Sequence, residues 1–253
     1  MGKTVVSDLT QGTTQTMRAV LTLRDMIANG QLQDDTRYTE VQLADLLSMS
    51  RTPIRAALQK LTDEGVLQAM PAGGYTVRRF LPSEINEAIE IRGMLEGLCV
   101  RLLAERGVDA QVLADMGHVC DGIEAALISP VFNEQSIITY SRLNAEFHKI
   151  FVEACNSQLL QQELARANAR PFGSASALVG IHTPDEAARR HLWIGHDQHR
   201  AVIDAIATRQ GGRAEQIMRE HARLSQRNLT RALNARHLLD GLEGATLIRQ
   251  SGS

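Results

Sequence analysis

A mainly α protein in two parts is what the 253-residue sequence predicts: a small helical unit closed by one β-hairpin, then an all-α antiparallel bundle of about six helices. Three observations carry this. The chain is 43% hydrophobic but only 4% aromatic, so its core rests on Leu, Ala, Ile and Val, a composition that suits helices more than sheets. Apolar residues recur at helical period through most of the chain. One Pro-Ala-Gly-Gly stretch between two short apolar runs, Pro71 to Gly74, is the only hairpin signal.

Residues 1–14 are polar and rich in Gly and Thr, and read as a flexible arm. A first helix over about 14–29 carries Met17, Val20, Leu21, Leu23, Met26 and Ile27 as one stripe, and Gly30 stops it. Glu40 to Ser48 forms a second, short helix with Thr39 as cap. After a tight connection, the third runs from Arg51 to about Glu64, capped by Ser50 and stopped by Gly65. Pro53 falls in its first turn, where a missing N–H costs little because the first amides have no intrahelical partner. VLQAMPAGGYTVRRF then reads as strand, turn, strand, with Gly73 and Gly74 at the tip. Helix, helix, short turn, helix, hairpin over residues 15–79 is a winged helix-turn-helix, whose second helix of the pair enters the DNA major groove by its N-terminal residues.

That assignment gives the start of the third helix a purpose. Arg51, Thr52 and Arg55 surround a helix N-terminus, whose positive dipole end attracts anions. One arginine would take a DNA phosphate while the other forks onto guanine O6/N7. A merely solvated helix start is the bland alternative, but cations are unfavourable there and need an outside reason. Charge is distributed accordingly, though weakly. Residues 1–80 hold nine Lys+Arg against eight Asp+Glu, net +1, and the remainder 18 against 21, net −3.

Residues 80–83 read as a hinge, because Pro82 biases Leu81 to extended backbone. The bundle spans 84–238 and a tail 239–253. Its first helix, capped by Ser83, turns Ile85, Ile89, Met94, Leu95, Leu98 and Leu102 inward and ends at Gly107. Further helices fit about 109–126, 133–155, 157–179, 185–209 and 211–236. Asn144 and His148 stand at i and i+4 on one helix face. His199 and His221 lie on the last two helices, which a Gly-Gly link makes antiparallel neighbours. Three imidazoles and one oxygen from three helices suit a Zn, Ni, Co or Mn site with open positions. With eight histidines in the chain, spacing leaves ordinary core or surface histidines as the alternative. His196, one turn from His199, reads as rim or surface, and His118 and His237 as surface. Arg92 interrupts an apolar stripe; it either anchors a carboxylate effector or simply pairs with Glu96.

Two stretches carry a family resemblance. LADLLSMSRTPIRAALQKLTDEGVLQAMPAGGYTV closely resembles the DNA-binding domain of GntR-family bacterial transcription regulators. The resemblance implies that Arg51, Thr52 and Arg55 contact DNA together with a wing glycine near Gly73. Where other members carry a basic residue early in the second helix, this chain has Glu40-Val41-Gln42, with Arg37 as a substitute. NAEFHKIFVEACNSQLL, HDQHRAVIDAIATRQGGRAEQIMREH and IRGMLEGLCVRLLAERG resemble the FCD ligand-binding bundle of the FadR subfamily. That implies a divalent transition metal, Zn first, on Asn144, His148, His199 and His221. Asn144 replaces the more usual Asp, which weakens the site or inserts a water. Six helices rather than seven point to the VanR-like branch.

The expected protein is therefore a metabolite-responsive regulator, a repressor by resemblance. It would be a homodimer on a palindromic double-stranded operator, with a small organic acid as effector and Arg92 as its contact. Two alternatives remain: a metal-dependent hydrolase with a DNA-binding head, for which Glu146 points away from the site, and a purely structural metal. Three dispersed cysteines, Cys99, Cys120 and Cys155, with no CxxC, argue against a disulfide framework and for a reducing cytoplasm. No apolar run is long enough to span a membrane.

Overall fold

A computed structural model describes residues 3–234, 242 and 244–249. His237 and most of the tail lie outside them. The chain divides into two compact units, one holding the described residues up to Leu81 together with those at 244–249, the other Pro82 to Leu242.

In the first unit α1 (Lys3–Ala28) begins within the stretch read as an arm and runs to the expected stop. Ala19, Val20, Leu23 and Ile27 form its buried face, whereas Met17 and Leu21 are exposed. The inward stripe is thus narrower than the full apolar set. α2 (Glu40–Leu47) opens with a reciprocal capping box between Thr39 and Gln42. α3 (Arg51–Asp63) buries Pro53, Ile54, Ala57, Leu58 and Leu61. β1 (Leu67–Ala69) and β2 (Tyr75–Val77) pair antiparallel, Gln68 opposite Thr76. Tyr38 adds one bridge to Tyr75 on the outer edge of this hairpin. Gly73 and Gly74 have φ of 80° and 88°, the left-handed backbone that glycine adopts without strain. Arg37 donates to the Ala72 carbonyl at 2.9 Å, so it braces the wing turn. Phe80 exchanges backbone hydrogen bonds with Leu247 and Arg249, at 2.7 and 2.8 Å, as a parallel bridge beside the hairpin.

The second unit contains, among the described residues, α4 (Pro82–Arg106), α5 (Ala110–Ile128), α6 (Glu134–Ala154), α7 (Gln158–Ala169), α8 (Glu186–Ala207) and α9 (Gly211–Asn234). α4 starts at Pro82 itself, so Ser83 lies inside its first turn rather than capping it; proline is pre-organised for a first helical position. Asp109, Asn133, Ser157 and Asp185 cap α5 to α8 through side-chain oxygens. α7 ends ten residues before the expected 179. Arg170 precedes Pro171 and is extended, and Phe172 has φ 60°, so the helix cannot continue. A 3-10 turn, Val179–Ile181, follows in that connection.

α4 corrects one expectation: Met94 is 51% exposed, and the buried stripe runs instead through Ile85, Ile89, Arg92, Glu96, Cys99, Val100 and Leu103. Two ionisable side chains therefore sit on the core face. α4 packs along α9 and does so closely. A Cβ on Gly93 would stand 2.6 Å from the Ala222 Cβ, and one on Gly97 would stand 3.0 Å from Arg219 Cγ. All three cysteines are buried and unbridged, with Cys99 and Cys155 Sγ 3.5 Å apart.

Candidate functional site

α3 presents its N-terminus without a side-chain cap. Ser50 stands at the N-cap with extended backbone, but its hydroxyl makes no capping hydrogen bond. The expected Ser50 cap is thus present in backbone only, and its side chain does not occupy the first amides of α3. The Arg51 and Arg55 side chains are 61% and 62% exposed, and both turn to Glu40 at the start of α2. Arg55 Nε and Nη2 donate to the two Glu40 oxygens at 2.8–3.0 Å, and Arg51 Nη2 lies 3.5 Å away. The hydrogen bond from Arg55 holds the Glu40 carboxyl below its ordinary range. Only one edge of the Arg55 guanidinium is occupied, so its Nη1 side is left to donate elsewhere.

In the bundle, α6, α8 and α9 bring His148, His199 and His221 together. One ring nitrogen from each lies within 4.8 Å of the other two. His148 Nε2 is 3.3 Å from His221 Nε2, which is 3.1 Å from His199 Nε2. All three are buried, and the His199 ring stacks on Phe147 at 4.2 Å between centroids. The opposite nitrogens explain this arrangement. His148 Nδ1 lies 2.8 Å from Glu96 Oε1, and His221 Nδ1 lies 3.2 Å from Gln198 Oε1. Both neighbours are oxygen acceptors, an arrangement that favours a proton on each Nδ1 and directs each Nε2 inward. Bare lone pairs at 3.3 Å repel unless a cation lies between them. Burial pushes His221 down to about 3 and His199 well below its ordinary value, and the neighbouring imidazoles add to both shifts. A proton on either of these two rings is therefore disfavoured near neutrality. This donor set fits a divalent transition metal, which takes neutral imidazole directly.

Asn144 is buried one turn before His148, and its amide nitrogen donates to Ser176 Oγ at 3.1 Å, which leaves Oδ1 as the atom able to accept. Arg92 is fully buried. Nη1 reaches Glu96 Oε2 at 3.1 Å, Nη2 reaches Ser225 Oγ at 3.3 Å, and Nε has no partner among the described residues. Burial alone would raise Glu96, but His148 and Arg92 outweigh it and hold its carboxyl at about 2. Sequence reasoning missed Glu96 and Gln198 as supports of the histidines. Glu96 did carry a signal, its i+4 spacing from Arg92 on the same core-facing stripe. His196 is not at the rim: it is 2% exposed, packs against Trp193, and lies 3.6 Å from Glu124 on α5, outside the triad. Glu146, the hydrolytic alternative's base, is exposed.

A winged helix joined to an all-helical unit with a polar, histidine-lined centre defines a two-domain DNA-binding transcription regulator. Residues 15–77 match the family model described as bacterial regulatory proteins, gntR family, and residues 87–224 match that of the FCD domain. The chain belongs to the GntR family of bacterial regulators, with an N-terminal GntR helix-turn-helix and a C-terminal FCD domain.

It is similar to the HTH-type transcriptional repressor GlaR of Escherichia coli, 26% identical over 79% of this chain and 88% of that protein. The Glc operon transcriptional activator of Escherichia coli is 25% identical over 84% of each chain. Among solved structures, E. coli McbR/YncC shares the fold, with TM-score 0.61, 22% identity, and 86% of this chain and 97% of that one covered. No helix among the described residues is long and apolar enough to cross a membrane.

Proposed function

We propose that this chain is a cytoplasmic, metabolite-responsive repressor. Its FCD domain would bind a divalent transition metal through His148, His199, His221 and Asn144, Zn first, with Ni, Co or Mn as alternatives. A small organic acid entering the bundle would alter operator affinity. The single observation that carries this reading is the convergence of three buried ring nitrogens within 4.8 Å of one another, two of the rings backed by Glu96 and Gln198. Carboxylate–histidine pairs of this kind orient metal ligands and raise their basicity. When bound, the metal supplies positive charge and an open position for an anionic ligand. Asn144 adds an oxygen without negative charge, so the site would be weaker than one with Asp. Arg92 holds Glu96, and its unpartnered Nε is the atom left for an acid group.

At the other end, Arg51, Thr52 and Arg55 would enter the major groove of a palindromic operator as part of a homodimer, with the wing at Gly73 against the backbone. The effector would favour one of two arrangements of the DNA-binding heads, with the expected hinge at 80–83 narrowed to the link around Leu81, because Pro82 and Ser83 belong to α4. Operator affinity would then change by the ratio of effector affinities for the two states. The full burial of His199 also favours a second reading, a metal that only ties α6, α8 and α9 together.

Elemental analysis of the purified protein beside a His199→Ala variant tests the proposal. One metal per chain, absent from the variant, supports the site and names the ion. No metal in either would sink it. Chelation then separates the two readings: a structural metal's removal lowers the melting temperature sharply, while a sensory one's removal mainly abolishes the effector response.

A further inference from the structure

His182 and His191 form a second imidazole cluster that the metal centre does not use. His182 follows the 3-10 turn Val179–Ile181, and His191 lies in the second turn of α8. His191 precedes His199 by eight positions, about 12 Å along the axis at ~1.5 Å per residue. The two rings lie 5.0 Å apart between centroids, with planes tilted by 43°. His182 is only 8% exposed. The Nε2 atoms of both rings are buried without a hydrogen-bond partner among the described residues, and so is Asn228 Oδ1 on α9. Buried polar atoms are nearly always satisfied, so two orphaned ring nitrogens on neighbouring imidazoles call for a bound species.

The surrounding charge selects its sign. Arg231, one turn after Asn228, acts on both imidazoles and makes no ion pair among the described residues. Arg227 acts on His191 but is already paired with Glu220 at 2.8 Å. Asp185 is the one acid felt by His182, and its oxygens are engaged by Ala188 N and Thr183 Oγ1 at the α8 cap. Burial lowers both histidines to about 4, with the His191 ring and Arg231 adding to it at His182 and Arg231 and Arg227 at His191, so near neutrality each ring is uncharged with one N–H to donate. A cation would meet an uncompensated guanidinium here. An anion would meet two imidazoles able to donate from Nε2 and one guanidinium fork.

We propose that His182, His191 and Arg231 form a binding site for a single carboxylate group, separate from the histidine triad. Its two oxygens suit two imidazole donors, and its one charge matches one free guanidinium. Binding there would tie the 3-10 turn to α8 and α9. This inference does not depend on the metal.

The test uses the full chain, with and without metal, and butanoate as probe beside inorganic phosphate. Long-range nitrogen–proton NMR of the imidazoles follows His182 and His191, assigned by His182→Asn and His191→Asn. Saturating butanoate should shift both Nε2 signals and raise both titration midpoints, in chelated as in metal-loaded protein. His182→Asn and the exposed Arg231→Gln should each weaken binding by about tenfold or more, the scale of one hydrogen bond to a charged group. Unmoved imidazoles at millimolar butanoate would mean that water satisfies these atoms, and would overturn the proposal. A response to phosphate alone would overturn the carboxylate assignment. Butanoate binding that disappears on chelation and ignores Arg231→Gln would place the acid at the metal centre instead.

Discussion

Glu96 Oε1 lies 2.8 Å from His148 Nδ1, and the other Glu96 oxygen meets the Arg92 guanidinium one turn earlier on α4. A buried carboxylate thus decides which His148 nitrogen faces the triad. Glu96→Gln retains size and a hydrogen-bond acceptor but not the charge. Metal affinity should fall about 10–100-fold, the usual effect of losing such a partner. Competition with a chromogenic chelator measures it. Unchanged affinity would mean that Glu96 serves only Arg92.

Arg51→Ala and Arg55→Ala should each lower specific operator affinity by about 1–3 kcal/mol, the worth of a good bidentate base contact, with helical content and oligomeric state unchanged. Salt titration separates their roles. The arginine on phosphate should reduce the salt slope by about one, and the one reading a base should relax sequence preference instead. If neither variant alters DNA affinity, α3 is not the reading helix.

Gly93→Ala should destabilise the helical unit by about 1–3 kcal/mol, because the new methyl would stand 2.6 Å from the Ala222 Cβ at the α4–α9 contact. Because α4 carries Glu96 and α9 carries His221, metal affinity should fall as well. Urea unfolding and chelator competition on one sample would show both. A neutral result would mean the helices separate without cost.

The His182–His191 pair predicts an acid-sensitive stability. Both histidines sit near 4 in the folded chain against an ordinary 6.5. Between those values the unfolded chain binds more protons than the folded one, so stability rises with pH across the window and is lost on acidification from about 6.5 to 4. Metal-free protein with His182→Asn should lose less stability than wild type between pH 7 and pH 5. Equal losses in thermal melts would show that burial at His182 carries no such cost.

Legibility in the sequence varied with how local the cause was. The Thr39 cap, the Gly73-Gly74 turn and the start of α3 at Arg51 depend on neighbours within one turn and could be read directly, whereas the caps expected at Ser50 and Ser83 make no such bond or fall inside the helix. The triad histidines stood out among eight through the resemblance to the FCD bundle, since helical spacing alone left ordinary core or surface histidines as the alternative. Their supports did not. Gln198 reaches His221 on another helix, Glu96 reaches His148 across 52 positions, and periodicity carries no such pairing. The same limit misplaced Met94 and His196, since helical spacing gives a stripe but not its width or the neighbour it meets. The early end of α7 was local, the effect of Arg170 before Pro171, and was overlooked rather than hidden.

The Phe80–Ile248 bridge has a practical consequence for anyone dissecting the molecule. The DNA-binding unit is not contiguous in the gene: its last backbone ladder comes from codons more than 160 positions downstream of the hinge. A fragment cut at residue 81 would leave the Phe80 amide and carbonyl without their partners. Fluorophores or purification handles placed after residue 249 would sit on the wing-bearing unit rather than on the FCD domain whose last long helix they follow.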